Sequence, residues 1–124
     1  MRRSIVLGIL LVLASCAPQP ETVLEDTLKA VEQGHCDGFS QRFSAATRQM
    51  MGAKLDRMCT QQAAKMAAEP DGQRIAEVRI LTRAVNGDVA TVTAAIHHRN
   101  GVVDQPITAR MVKEEGSWRL EPSK

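Results

Sequence analysis

Residues 75–98 read IAEVRILTRAVNGDVATVTAAIHH. Apolar and polar residues alternate on both sides of Asn86-Gly87. An Asn-Gly pair suits a two-residue type I′ hairpin, because both central positions of that turn take positive φ. Before it, a strand over residues 74–85 places Ala76, Val78, Ile80 and Ala84 on one face, with Glu77, Arg79 and Arg83 on the other. After it, a strand over residues 88–99 places Ala90, Val92, Ala94 and Ile96 opposite Thr91 and Thr93. Alternation of period two across a tight turn specifies antiparallel strands with one buried face.

The same grammar continues downstream. Asn100-Gly101 repeats the turn signal before a third strand over residues 102–113. Glu114-Glu115-Gly116 then turns the chain into a last strand over residues 117–121, where Trp118 and Leu120 point the same way. Pro106 cannot donate to a ladder. The hairpin between the second and third strands is therefore expected to pair loosely near its tip and to be ordered from about Ile107.

Upstream the period lengthens. Residues 20–33 form a first helix with Pro20 in its first turn, Thr22 and Glu25 at capping-box spacing, and Gly34 as a stop. Val23, Leu24, Thr27, Leu28 and Val31 make its apolar face. A short helix over residues 39–45 inserts Phe39 and Phe43. A third over residues 47–68 carries Met51, Leu55, Met58, Cys59, Gln62 and Met66 on one stripe, read as core rather than as a methionine-rich binding groove. Helices followed by a one-sided four-stranded meander give an α+β domain over residues 21–124. With only two Phe, one Trp and no Tyr, its core is built from aliphatic residues, Ala and Met.

The N-terminal residues have a different character. Arg2 and Arg3 precede an apolar run over residues 5–14, too short for a bilayer core that needs ~20 helical residues. This is the layout of an export signal. Leu13-Ala14-Ser15-Cys16 resembles the lipobox of bacterial lipoproteins. That resemblance implies a signal peptide over residues 1–15, cleavage before Cys16, and a diacylglyceryl group on its sulfur with a further acyl chain, such as palmitate, on its amine. Two or more chains give stable anchoring to the lipid bilayer. Ala17, in place of an aspartate, is similar to the signal for outer-membrane sorting, facing the periplasm in a Gram-negative cell. Residues 16–20 hold the lipidated cysteine and a short tether, whose four residues 17–20 reach only ~14 Å, so the domain is expected close to the membrane, with partners in or near the bilayer.

Of 16 basic residues, Arg2 and Arg3 precede Cys16, leaving basic and acidic side chains balanced in the remainder. No basic footprint for nucleic acid exists. With Cys16 committed to lipid, Cys36 and Cys59 are expected to form a disulfide in an oxidising compartment. A metal site from Cys36, Cys59, His35 and His97 or His98 is the alternative, without any close ligand pair to support it. Two separate buried thiols are a third reading. No metal and no cofactor is expected.

Lys113-Glu114-Glu115-Gly116-Ser117-Trp118-Arg119-Leu120, Gly87-Asp88-Val89-Ala90-Thr91-Val92 and the helix end from Ala30 to Gly34 together resemble bacterial lipoproteins with a nuclear-transport-factor-2-like domain of unknown function. The resemblance implies a conical α+β roll, often with a pocket at its open end. The cysteine pair and the scarcity of aromatic residues depart from it. Ketosteroid-isomerase-like and SnoaL-like members imply an enzyme alternative, but that chemistry needs a desolvated acid or base and a donor such as Tyr. His97 and His98 are the candidates to weigh; on a strand they point to opposite faces, with His98 continuing the apolar face. The expectation is a non-catalytic envelope protein that acts as a binding or interaction module, or alternatively carries a small apolar ligand or lipid in the cone.

Overall fold

In the computed structural model, residues 18–122 are described. The expected signal peptide over residues 1–15 and the expected lipidation residue Cys16 lie outside them. Helix α1 (Pro20–Gln33) starts with Pro20 at its first position, where a missing N–H costs nothing. The expected capping box is not made: Gln19 is the N-cap without a side-chain bond, and Glu25 pairs with Lys29 at 3.0 Å instead. Gly34 ends the helix in the left-handed conformation, φ 75°, and its N–H meets the last-turn carbonyls.

The helix expected over residues 39–45 is a 3-10 turn, Phe39–Arg42, and Phe43 is extended. Sheet pairing explains the change. Phe43 bridges Leu120 in parallel, and Ser44 N–H donates to the Leu120 carbonyl at 2.8 Å. Ser44 then caps helix α2 (Ala45–Met51), its Oγ accepting from Thr47 N–H at 3.2 Å.

The long helix expected over residues 47–68 is also divided. Gly52 adopts φ 52° and ψ −129°, a region closed to residues with a Cβ. It ends α2 and begins α3 (Ala53–Ala67) in a new phase. The expected stripe therefore splits: Leu55 and Cys59 are buried, Met66 is half-buried, and Met58 and Gln62 are exposed.

Four strands follow, β1 (Ile75–Asn86), β2 (Val89–His98), β3 (Ile107–Glu114) and β4 (Ser117–Leu120), in an antiparallel meander of order β1-β2-β3-β4. Strand β3 pairs from Ile107 opposite Ala94, as Pro106 requires. Strand β1 departs from strict alternation at two bulges, between Ile75 and Glu77 and between Ile80 and Thr82. Each extra residue flips the faces beyond it. Ala76 is therefore exposed while Ile75 packs on the core, and Leu81 is pushed outward. Past the second bulge, Arg83 pairs with buried Val92 and Val85 with buried Ala90, so Arg83 rather than Ala84 faces the helices.

That inversion supplies a clamp for α1. Arg83 Nε lies 2.6 Å from Glu21 Oε2 and Nη2 donates to Gln19 Oε1 at 2.9 Å. The Glu21 oxygen is buried under the guanidinium, a charge contact rather than an aligned hydrogen bond. At the other end of α1, Glu32 Oε2 accepts the Ile75 N–H at 2.5 Å. Helix α1 thus lies antiparallel to β1, fixed at both ends.

The packed core joins Leu24 of α1, Leu55 and Cys59 of α3, and Val92, Met111 and Leu120 of the sheet. Cys36 and Cys59 form a disulfide, Cα–Cα 5.7 Å, tying the loop after α1 to the middle of α3. Among the described residues, no helix is long and apolar enough to cross a membrane.

Candidate functional site

A cavity of about 590 Å³ opens where the C-terminal ends of α1 and α3 meet the start of β1 and the end of β2. Leu28 and Val31 of α1, Met66 of α3, Ile75 of β1 and Ile96 of β2 give it apolar walls. These positions follow from the two periods: the α1 residues are one helical turn apart, and Ile96 continues the inward row Ala90-Val92-Ala94. The rim is polar, with Gln62, Glu69, Gln73, His98, Asn100 and Asp104, while Val102 covers one side.

The rim is held by backbone bonds between two loops. Asn100 N–H donates to Gly72 O at 2.8 Å, and Arg99 N–H to Arg74 O at 2.9 Å. Gly72 eases the approach, since a Cβ there would sit 3.3 Å from the Asn100 Cβ, a contact tight enough that one of the two loops would have to shift slightly. Asp71 adds charge to the same seam, 3.2 Å from Arg99 Nη1 and 3.5 Å from Arg74 Nε.

His98 closes the arrangement. Its Nδ1 is 2.6 Å from the Gln73 carbonyl oxygen and its Nε2 is 2.8 Å from Asp104 Oδ2. Both partners are acceptors, so both ring nitrogens must donate, which only the imidazolium does. The Asp104 hydrogen bond raises the His98 pKa above its ordinary value, the Gln73 carbonyl and the Glu32 charge help, and burial opposes them. His98 therefore pins the 99–104 tip to the 71–73 turn.

Of the residues singled out in the sequence, His98 is at this cavity, at the end of the inward row. His97 pairs with Glu77 and bridges Val103 on the strand's other face. Cys36 and Cys59 are bonded to each other, so the expected alternatives of a metal site and of two separate thiols do not describe them. Among the described residues, no three His, Cys, Asp or Glu side chains converge as a metal site. Sequence reasoning missed Asp104, Gln73 and Glu69. Asp104 sits six residues beyond His98 across an irregular loop, and no period reports that pairing.

Two other depressions lie apart from this one. The cleft of Ala46, Thr47, Met50, Met51, Arg110, Glu121 and Pro122 encloses about 530 Å³ beside α2. A second, of similar volume, lies over Cys36, His35 and Thr60 beside the disulfide. The α2 cleft sets the Arg110–Glu121 ion pair beside Met50, Met51 and Pro122, so its charges satisfy each other, whereas Glu69 at the rim of the first cavity has no such partner among the described residues.

The sequence matches the domain of unknown function DUF4878 over residues 13–121, nearly its whole length. The chain belongs to the DUF4878 family. No curated protein matches it in sequence. Among solved structures, a candidate NTF2-like transpeptidase from Campylobacter jejuni is similar in fold, with a TM-score of 0.64 and 16% identity, over 83% of this chain and 97% of that one. A SEC-C motif containing protein from Rhodopseudomonas palustris is similar with a TM-score of 0.56 and 18% identity, over 83% of this chain and 75% of that one. At such identities the likeness carries the fold alone: this DUF4878 domain is an NTF2-like α+β roll.

Proposed function

We propose that this DUF4878 protein is a membrane-anchored lipoprotein of the cell envelope whose NTF2-like domain is a non-catalytic binding module, with the cavity at the open end of the roll as its ligand site. The observation that carries the binding reading is an apolar cavity whose one histidine is fully engaged. A His–Asp pair beside a cavity is the arrangement of a general base. Here the second nitrogen faces a backbone carbonyl, so the ring has no lone pair to take a substrate proton. A module that holds a small molecule fits these groups better than an acid–base enzyme. The likeness to a candidate transpeptidase rests on fold and adds no residue to the site.

The anchoring reading rests on Leu13-Ala14-Ser15-Cys16, which falls inside the family match. The clamps on α1 add a direction. The tether leads into the Glu21–Arg83 end of the helix, and the cavity lies at the Glu32–Ile75 end, ~21 Å along a 14-residue helix. On this reading the mouth opens away from the bilayer and its ligand arrives from the aqueous compartment. Of the expected partners in or near the bilayer, this reading favours one near it.

The test of the anchor is intact mass of the protein purified from native membranes, before and after reduction and alkylation. A start at Cys16 with acyl mass, and two alkylatable thiols appearing only on reduction, is expected. A chain cut elsewhere and free of acyl mass would overturn the lipoprotein reading.

A further inference from the structure

We propose that the cavity selects small apolar cations: an alkyl or alicyclic body carrying a protonated amine. This deepens the reading of the cavity as the ligand site and rests on it. The apolar walls account for the body, since removing hydrocarbon from water is favourable roughly in proportion to the area covered. The charge at the rim accounts for the head.

Glu69 and Asp104 line the mouth, and Glu32 stands just behind it on the Ile75 N–H. The one cationic side chain lining the cavity, His98, directs both its N–H groups into the protein, at the Gln73 carbonyl and at Asp104. Arg74 and Arg99 are drawn to Asp71, outside the lining. Two carboxylates, Glu69 and Asp104, thus line the mouth with one imidazolium whose donors are spent, and Glu32 adds a third negative charge behind Ile75. Glu69 makes no side-chain hydrogen bond or ion pair among the described residues, at the edge of the apolar wall formed by Met66. An ammonium group there gains a carboxylate partner. A carboxylate ligand meets like charge, and no cation offers it a hydrogen bond.

The experiment uses three isosteric probes: cyclohexylmethylammonium, cyclohexylmethanol and cyclohexanecarboxylate. Each is titrated calorimetrically into the full protein in nanodiscs, with empty nanodiscs as the blank, and the Met66 methyl resonance reports the place of binding. The ammonium is expected to bind about fivefold more tightly than the alcohol, a size set by a partly exposed charge pair. The carboxylate is expected to be weakest. Glu69→Gln, at an exposed position, is expected to bring ammonium and alcohol to within about twofold of each other. Equal binding of the three, or tightest binding of the carboxylate, overturns the charge selection and leaves the cavity as a ligand site. Ammonium binding that leaves the Met66 methyl unmoved overturns the assignment to this cavity. If none of the three binds above the blank, the ligand-site reading itself fails.

Discussion

The two ends of the roll are built on different principles. At the closed end, Leu55, Met111 and Val92 are almost fully buried, and the Phe39 and Phe43 rings, 5.3 Å apart, pack against the same core. The chain seals this end by laying Phe43 and Ser44 along β4. At the open end the walls are apolar but nothing fills the space between them, and the closure is polar: a histidine, two loops and a set of carboxylates. One end is held by area removed from water, the other by a few directed bonds around a cavity. A domain of this size can leave an interior unfilled only where the rest of its core and a covalent link hold the frame.

The sharpest way to break this comparison is to truncate one residue at each end and follow urea unfolding. Leu55→Ala opens a void in close-packed surroundings and is expected to cost about 4 kcal/mol. Met66→Ala enlarges a cavity that already exists and is expected to cost under ~1 kcal/mol, because its side chain forfeits fewer contacts. Equal losses would show that the open end is packed as tightly as the closed one.

Next in size is the disulfide between Cys36 and Cys59, which spans 23 residues and belongs to the frame both ends share. Restricting the unfolded chain by a loop of that length contributes roughly 3 kcal/mol. Reduction, or Cys36→Ala with Cys59→Ala, is expected to lower the unfolding free energy by that amount. An unchanged urea midpoint would remove the bond from the account. Smaller again is Ser44→Ala, which strips the cap from α2 at the closed end and should cost about 1 kcal/mol in the same assay.

The closed end was the more legible in the sequence. Alternation around Asn86-Gly87, the stop at Pro106 and the pair Trp118 and Leu120 specified a one-sided meander, and residues 20–33 specified α1 to the residue. Errors arose where a tertiary contact overrode a local signal. Phe43 reads as helical until β4 offers its edge, which Phe43 and Ser44 then cover in part. Gly52 lies unremarked inside the helix expected over residues 47–68, and only its φ and ψ divide that helix. The bulges in β1 leave no trace in an alternation that continues past them, yet they put Arg83 on the helix side. At the open end the apolar walls and His98 were visible, while Asp104, Glu69 and the Gln73 carbonyl come from irregular loops whose positions no period encodes.

The smallest expected effect tests the open end most directly, through pH. The Asp104 hydrogen bond holds the His98 pKa above its ordinary value near 6.5. A group whose folded pKa is raised stabilises the fold fully below its unfolded pKa and loses that contribution as pH climbs through the folded value. The clasp between the 99–104 tip and the 71–73 turn is therefore firm in mild acid and loosens in mild alkali. The loosening is local, since the seam keeps the Asn100–Gly72 and Arg99–Arg74 backbone bonds. Proton NMR titration of the His98 ring follows this directly. His98 is expected to titrate above 6.5, and Asp104→Asn to bring it down, with faster amide exchange at residues 99–104. The closed-end amides, protected by packing rather than by a proton, should exchange at the same rate in both proteins. An Asp104→Asn variant whose His98 titrates as before would show that the rim is held without the imidazolium, and the contrast between the two ends would then rest on packing alone.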